Sequence, residues 1–410
     1  MGGRLGRVCA AAMVIGLVGL TLGCTPPAPP SPPSPPSRLT SVTSLVAGLE
    51  HACALMADTT VRCWGGNDSG QLGDGTLTNS KVAVKVRGLA GVAELAASGD
   101  HTCARLVSGR VLCWGGNGRG QLGAGSTAPF STDPVEVASI DDAVALAAGG
   151  PFSHTCAVRA TGEVACWGDD EYGELGDGTL TTAPVPTPVA VGGMVDATAV
   201  AAGGRHSCAL LADTSVRCWG FNASGQLGDG AVLAAPPFAS PSPVGVSGLS
   251  GVVAVTAGFG HTCALLPSLL ANGTVACWGD NSTAQLGPNS SAALSAVPLL
   301  VGGLGGVASI DAGQSHTCAR LLGGTIRCWG DNSQGELGDG TISGPFTPGV
   351  ATPVTVSGIS AAVGISAGLK YSCALLVDGT AKCWGDNTFG QLGNNSTVRS
   401  ALPVEVLTGP

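Results

Sequence analysis

Beyond residue 40 the apolar residues fall in short runs broken by turn-forming steps, and 66 glycines favour many turns over long helices. One unit shows the pattern: VASIDAG, QSHTCARLLGGTIRCWG, DNSQGELGDGT, a variable loop, then TPVTV. Four strands are predicted there, at 307–312, 316–321, 325–329 and 353–356. Small and branched apolar residues alternate along them, the period of a half-buried pleated strand. Asp-Gly, Asn-Gly and Gly-Gly steps supply the tight turns between them.

The same unit recurs through the chain. Trp64, Trp114, Trp167, Trp219, Trp278, Trp329 and Trp384 are spaced by 50, 53, 52, 59, 51 and 55 residues, each after a cysteine and before a glycine. A period in this range marks a repeat architecture. Seven four-stranded units, each burying its face against the next, predict an all-β fold, a seven-bladed β-propeller with four-stranded blades. An open solenoid of the same units would need distinct polar end caps. The repeats run at about 39–88, 89–138, 139–192, 193–248, 249–303, 304–358 and 359–410. The tryptophans are expected to pack between blades.

The fourth copy reads AGGRHSCALL, then WGFNASGQLGDG, and the other six match it closely. This pattern resembles the regulator-of-chromosome-condensation repeat family over residues 39–410. The resemblance implies a seven-bladed ring, and it implies that the strand opening at Val42 and the one ending near Val406 share a blade that clasps the circle. A light-sensing branch of that family uses tryptophan before the repeat histidine. Here that position holds Glu50, Asp100, Ser153, Arg205, Gly260, Ser315 and Lys370, so light sensing is not expected.

Sixteen cysteines need a reason. Cys9 and Cys24 lie in an N-terminal segment with the layout of an export signal. Arg4 and Arg7 precede an uncharged apolar stretch at 8–22, and LTLGC at 20–24 resembles a bacterial lipobox. Residues 1–23 are read as a lipoprotein signal peptide, Cys24 as the lipidation site, and 24–38, rich in proline, as a semi-rigid stalk. Membrane contact is then expected only through the lipid, at the outer membrane or cell surface. An ordinary secretory signal is the alternative. The other fourteen cysteines are expected to form seven disulfides: Cys53 with Cys63, Cys103 with Cys113, Cys156 with Cys166, Cys208 with Cys218, Cys263 with Cys277, Cys318 with Cys328, and Cys373 with Cys383. Folding the second and third strands about Asp58 puts Cys53 opposite Cys63, close enough for a disulfide. The fifth pair spans four extra residues, and the extension falls inside the hairpin loop. Zinc would need closer spacing.

Charge and recurring polar residues narrow the chemistry. The formal charge of −9 becomes −11 once Arg4 and Arg7 leave with the signal, which opposes a nucleic-acid partner. His51, His101, His154, His206, His261 and His316 occupy one repeat position, with Tyr371 in the seventh. One histidine per blade reads as a hydrogen-bonded scaffold element, not a metal site. Asp74, Asp177, Asp229 and Asp339 precede glycine and read as turn residues, so no metal and no cofactor is expected.

No nucleophile–base set stands outside the repeat, and the chain is read as a non-enzymatic, monomeric scaffold that binds a protein or glycan. A propeller lyase or hydrolase with an axial site is the alternative, and a guanine-nucleotide-exchange role is the reading the family name implies. A secreted bacterial inhibitor of β-lactamases resembles this fold and grips a protein with it. Specificity should reside in the loops before the fourth strands, which vary most. Three of them carry Pro-Phe steps, placing Phe130, Phe238 and Phe346 as partner-binding candidates. The competing reading tucks each phenylalanine beneath its own loop.

Overall fold

A computed structural model describes residues 35–150, 154–267, 273–344 and 347–409. The signal segment, Cys24 and most of the stalk lie outside the described residues, as do Ser153 and Phe346.

Seven antiparallel sheets surround one axis, and each repeat forms one of them. In the fourth, Ala197–Ala202, His206–Leu211, Val216–Phe221 and Ala239–Gly245 pair in chain order. The first strand is innermost. Val46, Ala96, Ala147, Ala201, Thr256, Asp311 and Ser366, one from each first strand, line the axial cavity. Loops from first to second strand and from third to outer strand therefore gather at one end of the ring, the loop end. The second-to-third turns gather at the other, the hairpin end.

The expected strand positions need two adjustments. In the sixth blade the third strand is Ile326–Gly330 and the outer strand Val350–Thr355, which begins before Pro353. A proline lacks an N–H, and an outer strand tolerates it because that edge faces solvent. Half-burial also fails for the middle strands. His206–Leu211 is buried at every residue, because neighbouring blades cover both of its faces.

The disulfides sit where that covering is tightest. Cys53 stands in register with Cys63, Cys103 with Cys113, Cys156 with Cys166 and Cys208 with Cys218. Cys263 faces Cys277 in the same way, Cys318 faces Cys328, and Cys373 faces Cys383. All seven pairs are bridged, with Cα separations of 4.0–4.1 Å. The Cys263–Cys277 bridge spans 14 residues where the others span 10, yet the two cysteines face each other in the same register. Each bridge lies against the tryptophan of the following blade: Cys156 and Cys166 under Trp219, Cys208 and Cys218 under Trp278, Cys373 and Cys383 under Trp64. The glycine after each tryptophan is obligatory. Gly65 has φ 103°, and a Cβ there would stand 2.4 Å from the Glu50 carbonyl oxygen.

Ring closure differs from the family-based expectation. Val42–Ala47 belongs to blade 1 alone and Ser400–Glu405 to blade 7 alone, so no blade is shared. A small clasp lies outside instead. Ser37–Arg38 pairs antiparallel with Leu407–Thr408, which runs parallel to Ser80–Lys85 at the edge of blade 1. Leu39, 1% exposed, and Val406, fully buried, pack inward beside it and join through Leu39 N–H to Val406 O at 2.9 Å. Arg38 pairs with Glu405, but both side chains are more than two-fifths exposed. The apolar anchor should outweigh the ion pair. Leu39→Ala is expected to cost about 2–5 kcal/mol in urea denaturation, and Arg38→Ala under about 1 kcal/mol. A reversed ranking would place closure in the ion pair.

Candidate functional site

The repeat histidines build the junctions between blades. His51 Nε2 lies 2.7 Å from Thr102 Oγ1 in the next blade. Thr102 donates its proton to the Gln71 carbonyl at 3.1 Å, and Trp114 Nε1–H donates to that same oxygen at 2.9 Å. The hydroxyl's proton is spent on a carbonyl, so its oxygen accepts from histidine, which fixes the Nε2–H tautomer. The unit recurs as His101 with Thr155, His154 with Ser207, His206 with Thr262, His261 with Thr317 and His316 with Ser372.

The closing junction departs twice. Blade 7 has Tyr371 for histidine and blade 1 has Ala52 for the hydroxyl residue. Tyr371 Oη reaches the His51 carbonyl directly, while Trp64 Nε1–H still donates to Gln391 O at 2.9 Å. One longer side chain spans what two shorter ones span elsewhere. Tyr371→His alone should therefore cost about 1–3 kcal/mol. Adding Ala52→Thr, which supplies the missing hydroxyl, should recover part of that loss in a denaturation cycle; additive losses would refute the substitution logic.

Burial holds the six histidines neutral. His51, His154, His206 and His261 are lowered from 6.5 to about 3, and His101 and His316 to about 4. Their folded values lie below the unfolded one, so their stabilising contribution is full above about pH 6.5. It is lost as pH falls through 4 toward 3. Thermal melts from pH 7 to 3 should decline over that window; a flat profile would show the rings solvated or charged.

The LGDG aspartates close turns. Asp74 Oδ1 accepts from Thr76 N at 3.0 Å and Thr76 Oγ1 at 2.7 Å, Asp177 and Asp339 accept from Thr179 and Thr341 in the same way, and Asp229 accepts from the main-chain N–H of Ala231.

Among the described residues, the aromatic side chains outside the core are segregated. Phe130, Phe221, Phe238, Phe259 and Phe389 all lie at the loop end, in or beside the loops that open there. Phe130 opens an outer strand and is 41% exposed. Phe238 is half-buried and packs 6.4 Å from Phe221 in its own blade. Phe221 meets Tyr172 of blade 3 edge-on at 4.9 Å, and the Arg205 guanidinium lies 4.5 Å from the Tyr172 ring centre. Of the trio expected from sequence, Phe238 joins a patch across blades 3 and 4, Phe130 opens the outer strand of blade 2, and Phe346 lies outside the described residues. Pro-Phe steps pointed to the loops, but Tyr172 and Arg205 stand at repeat positions with other residues elsewhere, and only their departure from the repeat marks them.

Burial raises the Glu50 carboxyl above its usual range, and Asp68, Asp386 and Asp100 raise it further, so acidic groups of blades 7, 1 and 2 act on one another at the loop end. Arg119 pairs with Asp169 at 3.6 Å on the aromatic side. Deeper in the axis Asp311 is committed to structure. It accepts from Thr256 Oγ1 at 3.0 Å and from the main-chain N–H groups of Ala312 and Ala367 at 3.0 and 2.9 Å.

Residues 153–409 match the RCC1-like domain, and 42–71, 60–105, 92–121 and 108–158 match the regulator of chromosome condensation (RCC1) repeat. The chain belongs to the RCC1-like domain family. Among similar curated proteins are the human E3 ubiquitin-protein ligase HERC2, 30% identical over 62% of this chain, and the ultraviolet-B receptor UVR8 of Arabidopsis thaliana, 28% identical over 67%. The chain spans 5% of the first and 60% of the second. Prp20p from Saccharomyces cerevisiae superposes with a TM-score of 0.73 at 22% identity, covering 90% of this chain and 87% of that one. Human WBSCR16 superposes with a TM-score of 0.72 at 21% identity, covering 84% and 93%. Both likenesses concern the fold. The histidine, tryptophan and glycine positions recur from blade to blade as scaffold, whereas Tyr172, Arg205 and Phe221 stand where the other blades carry other residues.

Proposed function

We propose that this propeller is an exported, non-enzymatic binding module that grips a protein across its loop end, with Tyr172, Arg205, Phe221 and Phe238 at the centre. The observation that carries the reading is the gathering of the described phenylalanines at one end of the ring, where Arg205 stacks on Tyr172. Aromatic and arginine side chains dominate the energetic centres of protein interfaces. Solved RCC1 structures lend support: yeast RCC1 (Prp20) is described bound to Kap60, and Prp20p with its binding to Gsp1p and histones. The bonds that occupy Asp311 favour a binder over an axial enzyme. Export is supported by the signal-like first 24 residues and by seven buried disulfides, which persist in oxidising compartments.

The test pairs cross-linking with substitution. Partner cross-links from surface extract should map to loop-end residues. Tyr172→Ala with Arg205→Ala should weaken capture by about 30-fold, the scale of a 2 kcal/mol hot spot, with little change in melting. Hairpin-end variants such as Val107→Ser should leave capture unchanged. Undiminished capture in the double variant, or cross-links to glycan alone, would overturn the assignment.

A further inference from the structure

Four blades place an aspartate two residues after the tryptophan: Asp169, Asp280, Asp331 and Asp386. Five residues later comes the glutamine or glutamate of the repeat. In blades 5 and 7 that residue is glutamine, and its amide donates to the aspartate: Gln285 Nε2 to Asp280 Oδ2 at 2.8 Å, Gln391 Nε2 to Asp386 Oδ2 at 2.9 Å. In blades 3 and 6 it is Glu174 and Glu336, both fully buried. The donor is gone from both.

We propose that blades 3 and 6 each hold a proton at neutral pH between two carboxyl groups, Asp169 with Glu174 and Asp331 with Glu336. The proton replaces the missing amide hydrogen. Blade 3 makes the stronger case. Glu174 Oε2 accepts from Tyr172 N at 2.8 Å, as glutamine Oε1 does in other blades, whereas Glu174 Oε1 and Asp169 Oδ2 are buried with no hydrogen-bond partner among the described residues. Two ionised oxygens left so would each forfeit solvation without return. Blades 5, 6 and 7 also give the aspartate a hydroxyl, from Ser282, Ser333 or Thr388. Blade 3 has Glu171 at that position, so no hydroxyl is offered to Asp169 there, and the Arg119 guanidinium lies on its other oxygen, Oδ1, at 3.6 Å. In blade 6 the Ser333 hydroxyl lies 3.0 Å from Asp331 Oδ2 and 3.4 Å from Glu336 Oε1, one proton for two acceptors.

The surroundings agree. Burial, then Asp169 and Asp170, hold Glu174 up to about 8 against two main-chain bonds, and burial, then Asp331, hold Glu336 up to about 7, with Lys370 opposing. Asp169 also faces Arg119, Glu171 and Arg205. Asp170 faces Asp177 and is itself raised to about 7. It stands where the other blades have asparagine, and so provides an internal control.

Unfolded glutamate titrates near 4.5. The folded values are raised, so the pairs' contribution is full below about 4.5 and is lost as pH rises through 7 to 8. The histidines act in the opposite sense below 6.5, which makes pH 6.5–9 the informative range. Carboxyl-resolved NMR and infrared spectra of the intact propeller at pH 7 should show protonated carboxyls, and those of the two pairs should vanish in Glu174→Gln with Glu336→Gln, a change to the residue five blades already carry, while that of Asp170 remains. The wild-type melting temperature should fall from pH 6.5 to 9, and the double variant should lose most of that fall. Absence of a protonated carboxyl at pH 7 would overturn the proposal. So would a signal removed by Asp170→Asn and untouched by Glu174→Gln, or an equal pH slope in wild type and double variant.

Discussion

One carbonyl oxygen per junction sets the geometry of this ring. The Gln71 carbonyl, with its six counterparts, receives the next blade's tryptophan N–H, and in six of the seven junctions the hydroxyl beside it as well. The faces that meet around it are mostly alanine, valine, leucine and cysteine, which pack acceptably over a range of offsets. A buried carbonyl with two donors does not. Displacing a blade by one residue would strand an indole N–H, a hydroxyl and an imidazole in a water-free junction, each at a cost of about 1–3 kcal/mol. Apolar burial drives the blades together, and this polar node chooses the register.

The node also explains how a chain with 4% aromatic residues fills such a ring. One tryptophan per junction does most of the filling, and it needs a flat, unyielding floor. The preceding blade's disulfide supplies it, because Cys53 and Cys63 face the Trp114 ring from directly opposed positions. Closing a ten-residue loop limits the unfolded chain by about 2–3 kcal/mol per bridge in the loop-entropy view. Its second effect is local: the two strands bearing the histidine and the tryptophan cannot slide past each other.

Most of this was legible in the sequence because it repeats. The tryptophan period gave blade number, and cysteine spacing gave hairpin register, since both are properties of one unit seen seven times. Features made by two units were harder to see. Burial of His206–Leu211 on both faces depends on neighbours, so the strand-level period of two misjudged it. The meaning of Tyr371 depends on Ala52, which lies 319 positions earlier and departs from the repeat without drawing notice by itself. Closure outside the blades by Ser37–Arg38 and Leu407–Thr408 rests on two-residue strands with no pattern to detect.

Departures from the repeat therefore call for separate readings according to where they fall. At a junction a change is answered by a second change that keeps the node satisfied, as Tyr371 is with Ala52. At the axis Asp311 stands where four other blades have alanine or valine, and it is answered by Thr256 and by main-chain N–H groups. At the loop end Tyr172 and Phe221 pack on each other and beneath Arg205, yet leave part of their aromatic faces toward solvent. A substitution compensated inside the fold belongs to the scaffold. One that leaves large apolar side chains partly uncovered on a rigid ring has no such compensation inside the fold, and this distinction separates the patch on blades 3 and 4, the surface proposed above to meet a partner, from the other irregularities of the chain.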